Sequence, residues 1–315
     1  MRWRVVGSLL GMIEPIAYCN GRFLPFSQVQ LPPYDAGFVQ GTTVGEQLRT
    51  FGGKLYRLDE HLRRLRRSLD IIGVTPSVSL GTLAEIARSV ARYNHALLAA
   101  GDDLGLSILV TPGIYSAFAC GATGGPLVIV NTYPLAFHLF AEQFDRGQAL
   151  VVTRTRQVPA ECWPVELKCR SRMHYYLADR EARLQESGAR ALLLDMEGFV
   201  TEASTANVVL FREGEGLVSP PKEKILPGIS VAVLAEIAAA LSIPFVERPL
   251  TVADVEGASE VLLTSTSPCV IPCTRVNGRA VGSGSPGPVF AKLLAAWSER
   301  TGVDIRAQAK RFATR

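Results

Sequence analysis

No run of about 18 uncharged apolar residues occurs in this chain, so no segment reads as a membrane-spanning helix. Histidine is scarce, and His61, His95, His138 and His174 are too scattered for a metal cluster. Cys19, Cys120, Cys162, Cys169, Cys269 and Cys273 include no CxxC pair and no histidine at ligand spacing. That pattern supports neither zinc nor a disulfide framework, and the expectation is reduced, mostly buried thiols. A GxSxG elbow and a P-loop are both missing, as is low-complexity sequence. Charge of one sign is not in excess either: 33 basic against 29 acidic residues give +4, too mild and evenly spread to imply a nucleic-acid partner. What is present is apolar material, 48% of 315 residues at a mean hydropathy of +0.19. Such a chain can bury one large or two medium cores, which excludes a disordered or disulfide-scaffold protein.

The opening MRWRVVGSLLGMI carries two arginines before an apolar run. That run is too short for a signal-peptide h-region and lacks a small-residue cleavage site. Residues 1–15 are read as an extension, Met12 as the expected start, and a cytoplasmic location follows as the expectation.

From residue 16 to 135 the pattern is a small α+β domain. Asn20-Gly21 lies between two short apolar strands and Gly52-Gly53 between two more, both accepting the positive φ of tight hairpins. Leu58, Leu62, Leu65, Leu69 and Ile72 step by four and three, the stripe of an amphipathic helix with Asp59 and Glu60 at its positive end. A second helix is expected from Thr82 to Leu98, with buried strands at Leu106–Val110 and Leu127–Val130. Pro and Gly between 121 and 134 lead into 136–147, read as a linker. Residues 148–315 then alternate strands and helices as a larger domain. Helices are expected near Met173–Gln185, Ile229–Leu241 and Val289–Glu299, and a hairpin at Asn277-Gly278. Gly282-Ser-Gly284-Ser-Pro-Gly287 satisfies GxGxxG, but too little chain follows for a βαβ unit, so it is read as a turn.

Among the arginines of the first long helix, Arg63, Arg66 and Arg67 fall away from the leucine stripe and read as a solvated face. Arg64 aligns with His61 and Ser68 on its flank, where a half-buried guanidinium fork suits one phosphate or carboxylate. In the larger half, Lys168 follows a proline-bearing loop and precedes a helix. A lysine entering a core there is desolvated and its amine becomes available for a Schiff base. Glu202, in Phe199-Val-Thr-Glu-Ala-Ser-Thr-Ala-Asn207, is an acid beside strongly apolar sequence. Such an acid needs a cationic partner, and a protonated pyridine nitrogen would serve. Pro227, Gly228, Ile229 and Ser230 open a helix whose free N–H groups face an anion. Ser265, Thr266 and Ser267 close an apolar strand with hydroxyls. Together these are the groups that pyridoxal 5′-phosphate requires.

Over residues 16–295 the chain resembles the class IV, fold-type IV pyridoxal-phosphate family of branched-chain and D-amino-acid aminotransferases and aminodeoxychorismate lyase. The resemblance implies an α+β fold of a small domain and a larger pseudo-barrel domain, and a homodimer whose partner helps close the pocket. It makes Lys168 the Schiff-base lysine and Glu202 the partner of the ring nitrogen. Arg64, Gly228, Ile229, Ser230, Ser265 and Thr266 become the phosphate cup.

Departures from the family pattern bear on the reaction. Gly45 stands where the family carries a bulky ring, so a larger pocket is expected. Glu46 is the aminotransferase residue at its position, where the lyase shows threonine. Arg172 is the lyase-like feature, and Met173 replaces the branched-chain tyrosine that donates to the cofactor phenolate. Tyr175 and Tyr176 lie on other helix faces. Pro112 replaces a carboxylate-binding arginine, leaving Arg49 or Arg172 as substitutes, with Ser267 as a further pocket residue. The reading is transfer of an amino group between an amino acid or amine and a 2-oxo acid. The lyase that releases pyruvate is the alternative.

Overall fold

The computed structural model describes residues 14–314; the expected start at Met12 and most of the expected extension lie outside them. The chain divides into two compact units, one running to Leu135 and taking in Leu167–Ser171, the other comprising Ala136–Glu166 and Arg172 onward.

The first unit contains β1 (Ile16–Cys19), β2 (Arg22–Pro25), α1 (Ala36–Val39), β3 (Val44–Phe51), β4 (Lys54–Leu55), α2 (Leu58–Ile71), α3 (Leu80–His95), β5 (Leu104–Thr111) and β6 (Leu127–Pro134). Its strands form a six-stranded sheet in the order β2-β1-β6-β5-β3-β4. The β1–β2 turn places Asn20 and Gly21 at φ 40° and 89°, the left-handed values the Asn-Gly pair accepts at least cost. Leu58, Leu62, Leu65 and Leu69 of α2 are all buried against that sheet, each burial contributing roughly 1.5–3 kcal/mol. Arg63, Arg66 and Arg67 point to solvent.

The second unit contains α4 (Gln143–Arg146), β7 (Gln148–Val152), α5 (Met173–Gln185), β8 (Arg190–Leu194), β9 (Val200–Ala203), β10 (Ala206–Arg212), β11 (Gly216–Ser219), α6 (Ile229–Ala240), β12 (Phe245–Glu247), α7 (Val252–Glu256), β13 (Glu260–Ser265), β14 (Cys269–Val276), β15 (Arg279–Ala280), α8 (Pro288–Thr301) and α9 (Ile305–Arg311). The strand path β10-β13-β14-β7-β8-β9 closes on itself because β9 also pairs with β10. This closed ring is the barrel of an α+β protein, and closure leaves its strands no open edge.

Two expectations about organisation are corrected. Residues 136–147, expected as a linker, pack into the second unit: Phe137, Phe140 and Phe144 are buried, the Phe137 ring stacks on Phe312, and Thr274 Oγ1 donates to the Arg146 carbonyl at 2.9 Å. The segment Leu167–Ser171, expected in the larger domain, joins the first unit instead. Its backbone bridges Val44 to Cys169, the Gly45 N–H donates to the Lys168 carbonyl at 3.1 Å, and the Arg170 N–H donates to the Thr43 carbonyl at 2.7 Å. The GxGxxG stretch is a turn leading into α8. A Cβ on Gly287 would fall 2.2 Å from the Glu260 carboxyl, which accepts the N–H groups of Val289 and Phe290 at 2.7 and 2.8 Å. All six thiols are free, as expected, but Cys269 and Cys273 alone are buried, while Cys120 and Cys162 are exposed. No group of His, Cys, Asp and Glu suited to a metal occurs among the described residues, and none of their helices is long and apolar enough to cross a membrane.

Candidate active site

In the first unit the site residues converge on α2 and β3. The leucine stripe turns His61, Arg64 and Ser68 toward β3, where strand alternation aims Glu46 at them. Arg64 grips Glu46 with two parallel bonds, Nε to Oε1 at 2.8 Å and Nη2 to Oε2 at 2.7 Å. His61 Nδ1 lies 2.7 Å from the second oxygen. Burial of Glu46 works to raise its pKa, but the charge and hydrogen bonds of Arg64, helped by His61, outweigh it and draw it down to about 2. His61 is also shifted down from its ordinary value, mainly by burial, partly opposed by Glu46, with the charges of Arg64 and Lys168 adding to the fall. At neutral pH the imidazole is therefore neutral and Nδ1–H donates. One turn further, Ser68 Oγ accepts the backbone N–H of Lys168 at 3.1 Å, and Ser171 Oγ donates to the Gly41 carbonyl. Lys168 is thus carried by this unit's own hydrogen bonds, beside the Arg64–His61 pair.

Three residues expected at the pocket have their surroundings fixed within this unit. Glu46 is fully buried and bound to Arg64 and His61, so its direct action is on the arginine. Arg49 is 1% exposed, its guanidinium lies 4.0 Å above the Phe51 ring, and Nε donates to the Thr50 carbonyl; it offers no accessible fork for a substrate carboxylate. Gly45 does not mark added space. A Cβ there would lie 2.5 Å from the Ile108 carbonyl oxygen and 2.9 Å from Leu109 Cδ2, because β5 crosses directly against it.

In the second unit Glu202 lies near the end of β9, almost wholly buried. Tyr175 Oη donates to its Oε2 at 3.0 Å, and the Leu226 N–H donates to Oε1. A carboxylate offers roughly four acceptor directions, enough for these donors together with a cationic ring N–H. Tyr175 is the residue that sequence reasoning missed. Helical periodicity places it on a different face from the family tyrosine position, where Met173 is 69% exposed, but that other face is the one turned to Glu202. Tyr176 is exposed, as its position predicts. Arg172 stands at the head of α5, half-buried, and its charge adds to the burial that pushes His174 down to about 4.

Gly228 precedes α6 with no side-chain cap, so the first N–H groups of Ile229, Ser230 and the next residue are available to an anion. A Cβ on Gly228 would stand 2.0 Å from Asn207 Oδ1, while Asn207 Nδ2 donates to the Leu226 carbonyl at 3.0 Å. Asn207 therefore fixes the same loop that supplies Glu202 with its backbone donor, and only glycine fits beside it. Ser265 closes β13 and Thr266 and Ser267 follow it, all half-buried, next to Thr264, whose hydroxyl is buried without a protein partner. Buried acid, uncapped helix start and hydroxyl cluster fit a phosphorylated pyridinium. An open cleft of about 630 Å³ elsewhere on the first unit, lined by Lys54, Arg57, Arg88, Arg92 and His95, contains none of these residues.

The family described as Amino-transferase class IV matches residues 28–276. The chain is 28% identical over 278 residues to D-alanine aminotransferase of Bacillus licheniformis, covering 88% of this chain and 94% of that one. A branched-chain amino acid aminotransferase from T.th., solved with pyridoxamine 5′-phosphate, superposes with a TM-score of 0.81 at 26% identity over 92% of this chain and 95% of that one. The Escherichia coli branched-chain enzyme has the same fold, with a TM-score of 0.83 at 24% identity over 91% and 94%. With the family match spanning most of its length, the chain belongs to the class IV amino-transferase family and is a transaminase.

Proposed function

We propose that this transaminase works with pyridoxal 5′-phosphate and moves an amino group from an amino acid to a 2-oxo acid. When bound, that cofactor supplies an aldehyde to take the amino group and a protonated ring to accept electrons from Cα. Lys168 Nζ would hold the aldehyde and, once displaced by the amino donor, move the proton taken from Cα. Glu202 would keep the ring nitrogen protonated. The N–H groups of Ile229 and Ser230 past Gly228, the hydroxyls of Ser265 and Thr266, and Arg64 would hold the phosphate. Glu46 takes one edge of Arg64 and so fixes the plane in which its other donors lie. Arg172 and Ser267 are proposed for the substrate side, with a homodimer in the cytoplasm as the working form.

The observation that carries this reading is Glu202, an acid buried in the barrel wall and held by donors from two separate elements, Tyr175 and Leu226. In the test, purified protein supplemented with pyridoxal 5′-phosphate should show the visible absorbance of a lysine-bound cofactor and consume amino donors only when a 2-oxo acid is present. Lys168→Ala should lose both. Retention of absorbance and turnover by that variant would refute the assignment.

A further inference from the structure

Tyr175 is not isolated against Glu202. Gln157 Nε2 donates to the Tyr175 hydroxyl at 3.4 Å, and Gln157 Oε1 accepts the Val158 N–H at 3.3 Å. The backbone donor at Val158 fixes which end of the amide is oxygen, so the end facing Tyr175 is NH2, which only donates. The phenol oxygen therefore accepts from Gln157, and its own proton is left to point at Glu202, 3.0 Å away. Polarity runs one way along the chain, from the Val158 N–H through Gln157 and Tyr175 to the carboxylate. The Gln157 backbone is itself anchored, its N–H donating to the Leu194 carbonyl at 2.9 Å, and the His174 ring lies 3.9 Å from the Tyr175 ring. Burial, reinforced by the charge of Glu202, pushes the Tyr175 phenol far above its ordinary value, so it stays a donor at any working pH.

We propose that Gln157 and Tyr175 are positioning residues that hold the Glu202 carboxylate in one orientation, as an acceptor, facing the ring nitrogen of the cofactor. The proposal rests on the function given above. The Leu226 N–H holds one oxygen from the loop before α6 and Tyr175 holds the other from α5. Two donors from separate elements fix the carboxylate plane, which one donor does not. With a donor at each oxygen the carboxylate is used as an acceptor only, the role that a ring N–H requires of it. No residue of this relay need touch the substrate.

The test compares two probes on the apoprotein: pyridoxal 5′-phosphate and its 1-deaza analogue, in which the ring nitrogen is replaced by C–H. The change in their affinity ratio from wild type to variant reads the contact at the ring nitrogen, because the intrinsic difference between the two probes cancels in that comparison. The wild type should prefer the natural cofactor. Tyr175→Phe, which keeps the ring packing, should lower that preference about tenfold, the scale of one hydrogen bond to a charged group, with affinity for the deaza analogue unchanged. Gln157→Glu is the sharper variant. Its carboxylate can only accept, so it should turn the Tyr175 proton away from Glu202 and reduce the preference although every ring and hydroxyl remains. An equal loss of both affinities, or an unchanged ratio in both variants, would overturn the relay. A wild type that binds both probes equally would instead overturn the pairing of Glu202 with the ring, and the relay with it.

Discussion

Replacing Glu46 by Gln tests whether the buried carboxylate is what holds Arg64. The substitution keeps the shape of the side chain and removes its charge. Arg64, only 9% exposed, would keep one of the two Glu46 oxygens it now binds and would lose the charge of that carboxylate. Breaking one side of a buried ion pair costs about 3–5 kcal/mol, and the surviving neutral hydrogen bond recovers about 1 kcal/mol of that. The expected destabilisation is therefore about 2–4 kcal/mol. Proton linkage gives a second route to the same figure. The carboxyl is drawn from 4.5 to about 2, and at about 1.4 kcal/mol per tenfold change in proton affinity this is about 3 kcal/mol. Because the folded value lies below the unfolded one, this stability is present above pH 4.5 and is lost as pH falls toward 2. Urea unfolding followed by circular dichroism at pH 7 and at pH 3 should show a wide gap between wild type and Glu46→Gln that narrows in acid. A gap below about 1 kcal/mol at pH 7, within the range of an exposed pair, or an equal gap at both pH values, would refute the reasoning. Two units of structure allow more than one transition, so the comparison uses the transition whose midpoint Glu46→Gln moves.

Two glycine substitutions test close approaches. Gly45→Ala puts a methyl 2.5 Å from the Ile108 carbonyl and should destabilise the first unit by about 1–3 kcal/mol; a melting temperature equal to wild type would mean that the β3–β5 pair has slack. Gly228→Ala drives a methyl into Asn207 Oδ1 and should shift the start of α6. The protein should then discriminate less between pyridoxal 5′-phosphate and unphosphorylated pyridoxal in equilibrium binding, and an unchanged ratio would remove the α6 start from the proposed phosphate cup.

Local features were legible because local rules set them. Asn20-Gly21 and Gly52-Gly53 adopt the positive φ that their hairpins need. The leucine stripe of α2 lies inward, and α5 spans Met173–Gln185, the bounds expected of it. The pieces without a local signal were not legible. β11 is four residues of buried strand between turns, and β12 is a three-residue strand that pairs with it in parallel. Neither is long enough to show a period, and their stability comes from neighbours distant in sequence.

The sequence by itself determined which chemistry-bearing residues exist and in what order: an arginine on the flank of a leucine stripe, a lysine before a helix, an acid before an apolar strand, a glycine before another helix. Helical and strand periodicity place each on a face, because side-chain direction follows from backbone geometry alone. Tertiary structure decided what each face meets. It gave Arg64 to Glu46, closed the space beside Gly45 with the Ile108 carbonyl, moved the Lys168 segment onto the strand edge at Val44, and turned Tyr175 onto Glu202. The physical reason is common to all four. Hydrogen-bond partners and steric limits across tens of residues depend on how the chain packs, and a one-dimensional pattern fixes the direction of a side chain but not its neighbour.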